Sequence, residues 1–391
     1  MDLTKEEQSI LDGEFGEGAQ KAIELIVALG KIYGADGLVD ITSAHLSGAS
    51  YKTIGDGGLL YLEDMVNGGA KVTVPSTLNP VGMDRKRWNE MHIKDDFAEK
   101  QIHIIDLYGK MGIQTTCSCT PYDGVNVPKL GDHVAWAESS ALSYVNSFIG
   151  ARTNREGGPG ALAAAILGKT ANYGLHLKEN RAPTVVIDAD IPDTLFSHSL
   201  LGQAVGSVIG GGIPYYRGIK PGMEEEKTMA AAMAAAGAVA MFHVEGVTPE
   251  WKDFDVSELE VVHIGKKELD DAYDKLNTAD DVQLIAIGCP HLTEKEMHEI
   301  ASLLKGKKKR RTDVEIWFCT SERVRSKCPE DVRIMEEFGP VLADTCMVVS
   351  PIEGTFSRTA TNSCKAGNYL PTLCSQKVMC KDIAELLKVV E

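Results

Sequence analysis

Val282-Gln283-Leu284-Ile285-Ala286-Ile287-Gly288-Cys289-Pro290-His291 is an apolar run of strand length that closes on a glycine, a cysteine and a proline. It leads into Thr293-Glu294-Lys295-Glu296, where a threonine followed three residues later by a glutamate forms the capping box that opens a helix. A continuous apolar strand feeding a helix is half of a βαβ unit, and similar units lie on both sides of it. Val261 to Ile264, Val314 to Cys319 and Val341 to Val349 read as strands, and Lys267 to Asn277, Thr293 to Leu304 and Pro329 to Phe338 as helices. This alternation predicts a parallel, doubly wound sheet in a C-terminal domain over residues 259–391.

Toward the N-terminus the alternation continues with different spacing. Helices are expected over Ala19 to Ile32, Gly58 to Asn67, Asp95 to Lys110 and Ser139 to Phe148. Strands are expected over Gly37 to Thr42, Ala70 to Pro75, Gly112 to Thr116 and Pro183 to Asp188. Residues 1–190 therefore read as an N-terminal α/β lobe. Residues 191–258 read as a Gly/Ala-rich helical segment and linker. Within it Leu200 to Ile213 carries five glycines, Glu224 to Gly237 is an alanine-rich helix, Ala238 to Val244 a strand, and Thr248 to Glu258 an acidic, turn-rich stretch.

The balance of 40 basic against 56 acidic side chains, a net charge of -16, excludes a general nucleic-acid binder, since phosphate backbones demand basic surface. No apolar run reaches the ~18 residues of a membrane span, and Met1 to Glu7 reads as an acidic capping box rather than a signal sequence, so the expected location is the cytoplasm. Nine cysteines, an odd number, argue against a secreted disulfide framework and turn attention to thiols for metal or chemistry.

Cys119, Cys289 and Cys346 each stand at or just beyond the end of a strand-like run, where α/β proteins keep their ligands. Three thiolates from distant segments suit a soft metal or an iron-sulfur cluster with one iron left open. Spacing alone does not decide this, because no C-x-x-C pair exists and Cys117 stands two residues from Cys119, on the same face if the segment is extended. Ala135-Trp136-Ala137-Glu138-Ser139-Ser140 and Gly150-Ala151-Arg152-Thr153-Asn154-Arg155-Glu156-Gly157 add acid, hydroxyl, amide and two arginine forks suited to carboxylate or phosphate. His45 and His291 are read as hydrogen-bond donors near the substrate or the metal.

Taken with Ala44-His45-Leu46-Ser47-Gly48-Ala49-Ser50-Tyr51, Val74 to Pro80, Cys119-Thr120-Pro121-Tyr122, Gly288-Cys289-Pro290-His291 and Asp344 to Cys346 with Lys365 after it, these stretches resemble the large, catalytic subunit of the aconitase X family. The resemblance covers nearly the whole chain. It implies an aconitase-like fold of several α/β/α lobes with mainly parallel doubly wound sheets around a central cleft. It also implies a [4Fe-4S] cluster held by Cys119, Cys289 and Cys346, and a small anionic substrate held by Gly48, Ala49, Ser50, Asn79, Pro80, Glu138, Ser139 and Lys365. The Cys-Thr-Pro-Tyr context is what favours Cys119 over Cys117. The His-Leu-Ser-Gly-Ala-Ser-Tyr motif resembles the archaeal branch that dehydrates mevalonate 5-phosphate, with cis-3-hydroxyproline dehydration as the alternative.

Aconitase-type enzymes also carry a swivelling domain, for which no segment here is long enough. The resemblance therefore implies a separate small subunit bringing a catalytic serine, with no catalytic base in this chain. Two other readings stand beside this one. A scaffold or nucleotide-binding subunit with structural thiols lacks any P-loop or strand-linked G-x-G-x-x-G fingerprint. A polyanion site at Lys305-Gly306-Lys307-Lys308-Lys309-Arg310-Arg311 competes with an ordinary solvated loop after a helix C-terminus.

Overall fold

Leu284–Leu292 is the middle strand of a five-stranded parallel sheet ordered Val341–Ala343, Glu315–Thr320, Leu284–Leu292, Arg358–Thr361, Lys377–Cys380 in a computed structural model that describes residues 1–389. All nine of its residues are buried, which is why the run is apolar throughout rather than alternating. Successive residues serve two cores. Ile285, Ile287, Ile316 and Phe318 pack with Met297, Ile300 and Leu304 of helix Glu294–Leu304. Leu284, Ala286, Trp317 and Cys319 face the other way, into a core shared with Leu370, with Ile187 of strand Val185–Ala189, with Met229 of helix Met223–Gly237 and with Phe242.

That middle sheet is also parallel, ordered His243–Val244, Pro214–Arg217, Val185–Ala189, Val261–Ile264. Two expectations change here. Val261–Ile264 does not open the C-terminal sheet but pairs with Val185–Ala189, Val186 lying opposite Val261. The stretch 191–258, read as helical segment and linker, contributes strands Pro214–Arg217 and His243–Val244 as well as helices Leu195–Ile209 and Met223–Gly237. The glycines of Leu200 to Ile213 serve a helix crossing. A Cβ at Gly202 would stand 2.4 Å from the Met229 carbonyl oxygen, so only glycine lets the two helices meet.

The N-terminal part holds a three-stranded parallel sheet, Ser76–Leu78, Ser43–Leu46, Val134–Trp136, and an antiparallel pair, Leu38–Asp40 with Lys169–Ala171. Its core lies among helices Glu17–Ile32, Tyr51–Asn67, Asp95–Lys110 and Gly158–Leu167. The strand expected over Ala70 to Pro75 is displaced to Ser76–Leu78, beyond the proline. The one expected over Gly112 to Thr116 is reduced to an isolated bridge between Thr77 and Gln114, bounded by positive φ at Gly112 and Cys117. Val341 to Val349 likewise stops at Ala343, because Asp344 adopts φ 58° and turns the chain. Among the described residues no helix is long and apolar enough to cross a membrane.

Candidate active site

The N-terminal sheet contributes Ser47, Asn79 and Glu138, each just past the end of one of its strands, and the C-terminal sheet contributes Cys346, past Val341–Ala343, to one cavity. The strand Leu284–Leu292 loses register between Ile287 and Leu292, so the chain bulges where Cys289 sits. Gly288 makes this possible: its φ is 104°, and a Cβ there would stand 2.1 Å from the Cys319 carbonyl oxygen. The bulge brings the His291 N–H, two residues after Cys289, to 3.2 Å from Cys119 Sγ. Cys346 follows the Asp344 turn, and its N–H donates to the Val81 carbonyl at 3.0 Å.

Burial pushes all three thiols up, Cys289 to about 12, and the Lys365 ammonium pulls each of them back. Cys119 also feels Cys289, and Cys289 feels Cys346, so the three share one electrostatic neighbourhood. Cys117 does not face that way. With φ at 47° it sits on a turn, not in extended chain, donates to the Thr115 carbonyl at 3.5 Å, and packs in the N-terminal core beside Arg85 and Asp344. The shared face inferred from an extended segment is therefore replaced by a turn that separates the two thiols.

Glu138 caps helix Ser139–Tyr144, with Oε2 accepting from the Ala141 N–H and from Ser140 Oγ at 2.6 Å, while Oε1 pairs with the Lys365 ammonium. Both partners are nearly sequestered, at 5% and 9% side-chain exposure for Glu138 and Lys365. Burial would raise the Glu138 carboxyl, but Lys365 and the donors around it win and hold it below the ordinary carboxylate range. Lys365 donates also to Ser140 Oγ at 3.0 Å, which leaves one of its three N–H donors free.

A cavity of about 220 Å3 opens beside this pair, walled by Ser47, Asn79, Glu138, Ser139, Arg155, Cys346, Lys365 and Tyr369 among others. Of the expected substrate residues, Asn79, Glu138, Ser139 and Lys365 thus line one space with Cys346. Gly48, Ala49 and Ser50 form the turn behind Ser47. There the Ala49 carbonyl accepts from Gln101 at 2.7 Å and Ser50 Oγ donates to the Val349 carbonyl at 2.8 Å. Pro80 lies buried between Asn79 and Val81.

Asn79 Oδ1 and His45 Nε2 are buried neighbours that make no hydrogen bond of ordinary geometry, although the Asn79 side chain favours the protonated imidazole. His45 Nδ1 lies 2.9 Å from Thr77 Oγ1, and burial pushes its imidazole down to about 4, so it is neutral near pH 7. His291 is equally buried, its Nε2 2.8 Å from the Thr345 carbonyl oxygen, which ties the Cys289 bulge to the Cys346 turn.

Arg155 is the wall residue the sequence reading singled out by type but did not place. It is exposed, donates to the Ala234 carbonyl at 3.2 Å, and has no carboxylate partner among the described residues. With Lys365 neutralised by Glu138, Arg155 is the uncompensated cation of the cavity. Lys227 was missed altogether. Its ammonium is buried, donates to the His291 carbonyl at 3.0 Å and pairs with Glu296, yet it sits in an acidic, solvent-like helix start that gives no signal in the sequence.

No three His, Cys, Asp or Glu side chains among the described residues surround a point where a single ion could sit. Mononuclear zinc would need its thiolates about 2.3 Å from one centre, whereas a cluster takes each thiolate on a different iron and tolerates a wider array. Cys119, Cys289 and Cys346, buried in one electrostatic neighbourhood, are an all-sulfur donor set of the kind that suits a soft metal group.

The sequence profiles of the aconitase X first, second and third domains match residues 1–179, 183–274 and 282–391. The chain belongs to the aconitase X family. It is 47% identical to the phosphomevalonate dehydratase large subunit of Methanocaldococcus jannaschii, covering 99% of this chain and 100% of that protein. A cis-3-hydroxy-L-proline dehydratase of Hypocrea jecorina is 33% identical, and the match covers 96% of this chain but 66% of that longer protein. The crystal structure of Thermococcus kodakaraensis aconitase X in its holo-form superposes with a TM-score of 0.93 at 45% identity, covering 100% of both chains. The aconitase-like architecture expected from the motifs is thus the architecture of this family member.

Proposed function

We propose that this chain is the large subunit of an iron-sulfur hydro-lyase that removes water from (R)-5-phosphomevalonate to give trans-anhydromevalonate 5-phosphate. The observation that carries the reading is the cavity itself: a thiol, an ion pair with one donor to spare, an amide and an unpaired arginine converge in a chain whose full-length relatives at 45% to 48% identity are named phosphomevalonate dehydratase large subunits. Hydroxyproline dehydratases are more distant, at 31% and 33% identity.

Dehydrating a 3-hydroxy acid removes a weakly acidic proton α to the carboxylate and expels a poor leaving group. A [4Fe-4S] cluster on Cys119, Cys289 and Cys346 would supply a Lewis acid for the carboxylate and the departing hydroxyl. The chain's own residues bind and orient. Arg155 and the free N–H of Lys365 meet the substrate's anionic groups, Asn79 and Ser139 offer neutral hydrogen bonds, and the Gly48-Ala49-Ser50 turn with Pro80 supports the wall. Glu138 orients Lys365. A small partner subunit supplies the base, expected to be a serine.

Two experiments test this. Anaerobically reconstituted protein should hold iron and sulfide, and Cys119→Ser, Cys289→Ser and Cys346→Ser should each lose them while Cys117→Ser and Cys328→Ser keep them. Retention of the cluster in Cys119→Ser but not in Cys117→Ser would reverse the ligand choice. The cluster-loaded complex, followed by NMR, should convert mevalonate 5-phosphate to the anhydro acid. Turnover of cis-3-hydroxyproline with mevalonate 5-phosphate untouched would sink the substrate assignment.

A further inference from the structure

Helix Tyr51–Asn67 is broken near its start, where Gly55 takes φ 58° and ψ -164°, a conformation open essentially to glycine alone. A side chain there would meet nothing within 4 Å, so the glycine serves the backbone bend and not a tight fit. The turn Gly48-Ala49-Ser50 and the short helical piece after it are thereby set off from the rest of the helix. That piece carries Lys52, whose side chain crosses to the C-terminal part and is only 14% exposed.

The Lys52 ammonium donates to three acceptors there: the Ser350 carbonyl at 2.8 Å, Glu353 Oε2 at 2.6 Å and Cys374 Sγ at 3.2 Å. Cys374 Sγ in turn donates to the Val348 carbonyl at 3.1 Å, and Ser50 Oγ reaches Val349 next to it. Every N–H of the ammonium is thus used. Val348 and Val349 line the cavity together with Ser47 and lie two and three residues after Cys346. The junction has no slack, since a Cβ at Gly82 would lie 2.6 Å from Ser50 Oγ and 2.7 Å from the Val349 carbonyl oxygen.

We infer that Lys52 is a positioning residue: it clamps the substrate turn at Gly48 to Ser50 against the turn after Cys346, and so fixes the width of the cavity between them. This rests on the dehydratase reading for its substrate and on the hydrogen bonds alone for its mechanics. Loosening a wall that only holds the substrate weakens ground-state and transition-state binding alike, which raises KM and leaves kcat nearly unchanged.

The test uses the cluster-loaded complex. Lys52→Met keeps the length and apolar stem but removes the three donors. It should raise KM for mevalonate 5-phosphate about tenfold or more with kcat held within about threefold, as loss of ground-state positioning does. Iron content should stay at the wild-type level, and amide hydrogen exchange should speed up together in residues 47–54 and 346–353. Lys52→Arg, which keeps a cation beside Glu353, should recover part of the KM. Lys266→Met, which removes an exposed pair with Asp270, should change nothing. Wild-type KM with unchanged exchange would overturn the clamp. So would loss of iron with faster exchange throughout the chain, which would make Lys52 a general structural tie. If the wild-type complex does not turn over mevalonate 5-phosphate, the substrate reading fails by itself, and the exchange pattern still decides the clamp.

Discussion

Lys365→Ala is expected to lower stability by about 3 to 5 kcal/mol, the usual cost of stripping one partner from a buried ion pair, and to leave no measurable turnover. The reason lies in Glu138. Its carboxylate is buried, and Lys365 is the only cation paired with it among the described residues. Without that ammonium, burial dominates and raises the carboxyl above its unfolded value. The sign with pH then inverts. In the wild type the depressed carboxyl contributes stability that is present above the unfolded carboxylate pKa and is lost as pH falls through the folded one. In the variant the raised carboxyl is penalised while ionised, and the penalty eases as pH falls and it takes up a proton. Chemical denaturation at pH 7 and pH 5 should therefore show the deficit shrinking at the lower pH. Lys365→Met combined with Glu138→Gln should recover most of the stability and none of the turnover. A deficit that ignores pH would mean that lost packing, not the pair, carries the effect.

The sequence announced some of this site and concealed the rest for identifiable reasons. Leu284–Leu292 was legible because a strand buried on both faces must be apolar throughout, and its capping box marks where it ends. The Cys289 bulge was not, since it depends on register against a strand whose partner is set only in three dimensions. Val261–Ile264 looked like the first strand of the last sheet because adjacency in sequence suggests adjacency in space, yet its partner is Val185–Ala189. Glu138 and Lys365, 227 residues apart, each carried a motif, but nothing in either motif says that they neutralise one another. That pairing shifts the task of meeting an anionic substrate toward Arg155. The Cys-Thr-Pro-Tyr context favoured Cys119, but the turn that separates it from Cys117 rests on a positive φ at Cys117, which no composition or spacing foretells for a cysteine.

Without a partner the cluster-loaded chain should show no dehydration, and adding a small subunit should switch it on. The groups that wall the cavity include none fit to take the proton. A general base works best with a pKa near the operating pH and a free lone pair within reach of the proton. Glu138 has neither: it is held below the carboxylate range and both of its oxygens are engaged. Lys365 stays protonated beside it, the Arg155 guanidinium offers donors and no acceptor lone pair, and Tyr369 and Ser139 have no base beside them to activate a hydroxyl among the described contacts. The relatives divide accordingly. Proteins named large subunits are matched over 93% to 100% of their length, whereas the hydroxyproline dehydratases extend well beyond the match. A compact partner of about 100 to 150 residues, a usual size for one domain, would dock over the mouth framed by His45 to Tyr51, Glu138 to Ser139 and Arg152 to Gly157. Its closure would expel water and strengthen every charge interaction with the substrate. Analytical ultracentrifugation should find a heterodimer or a dimer of heterodimers. Replacing the partner's candidate serine with alanine should abolish turnover while leaving assembly and iron content intact. Full activity from the 391-residue chain alone would place the base within it and overturn the division of the site between two chains.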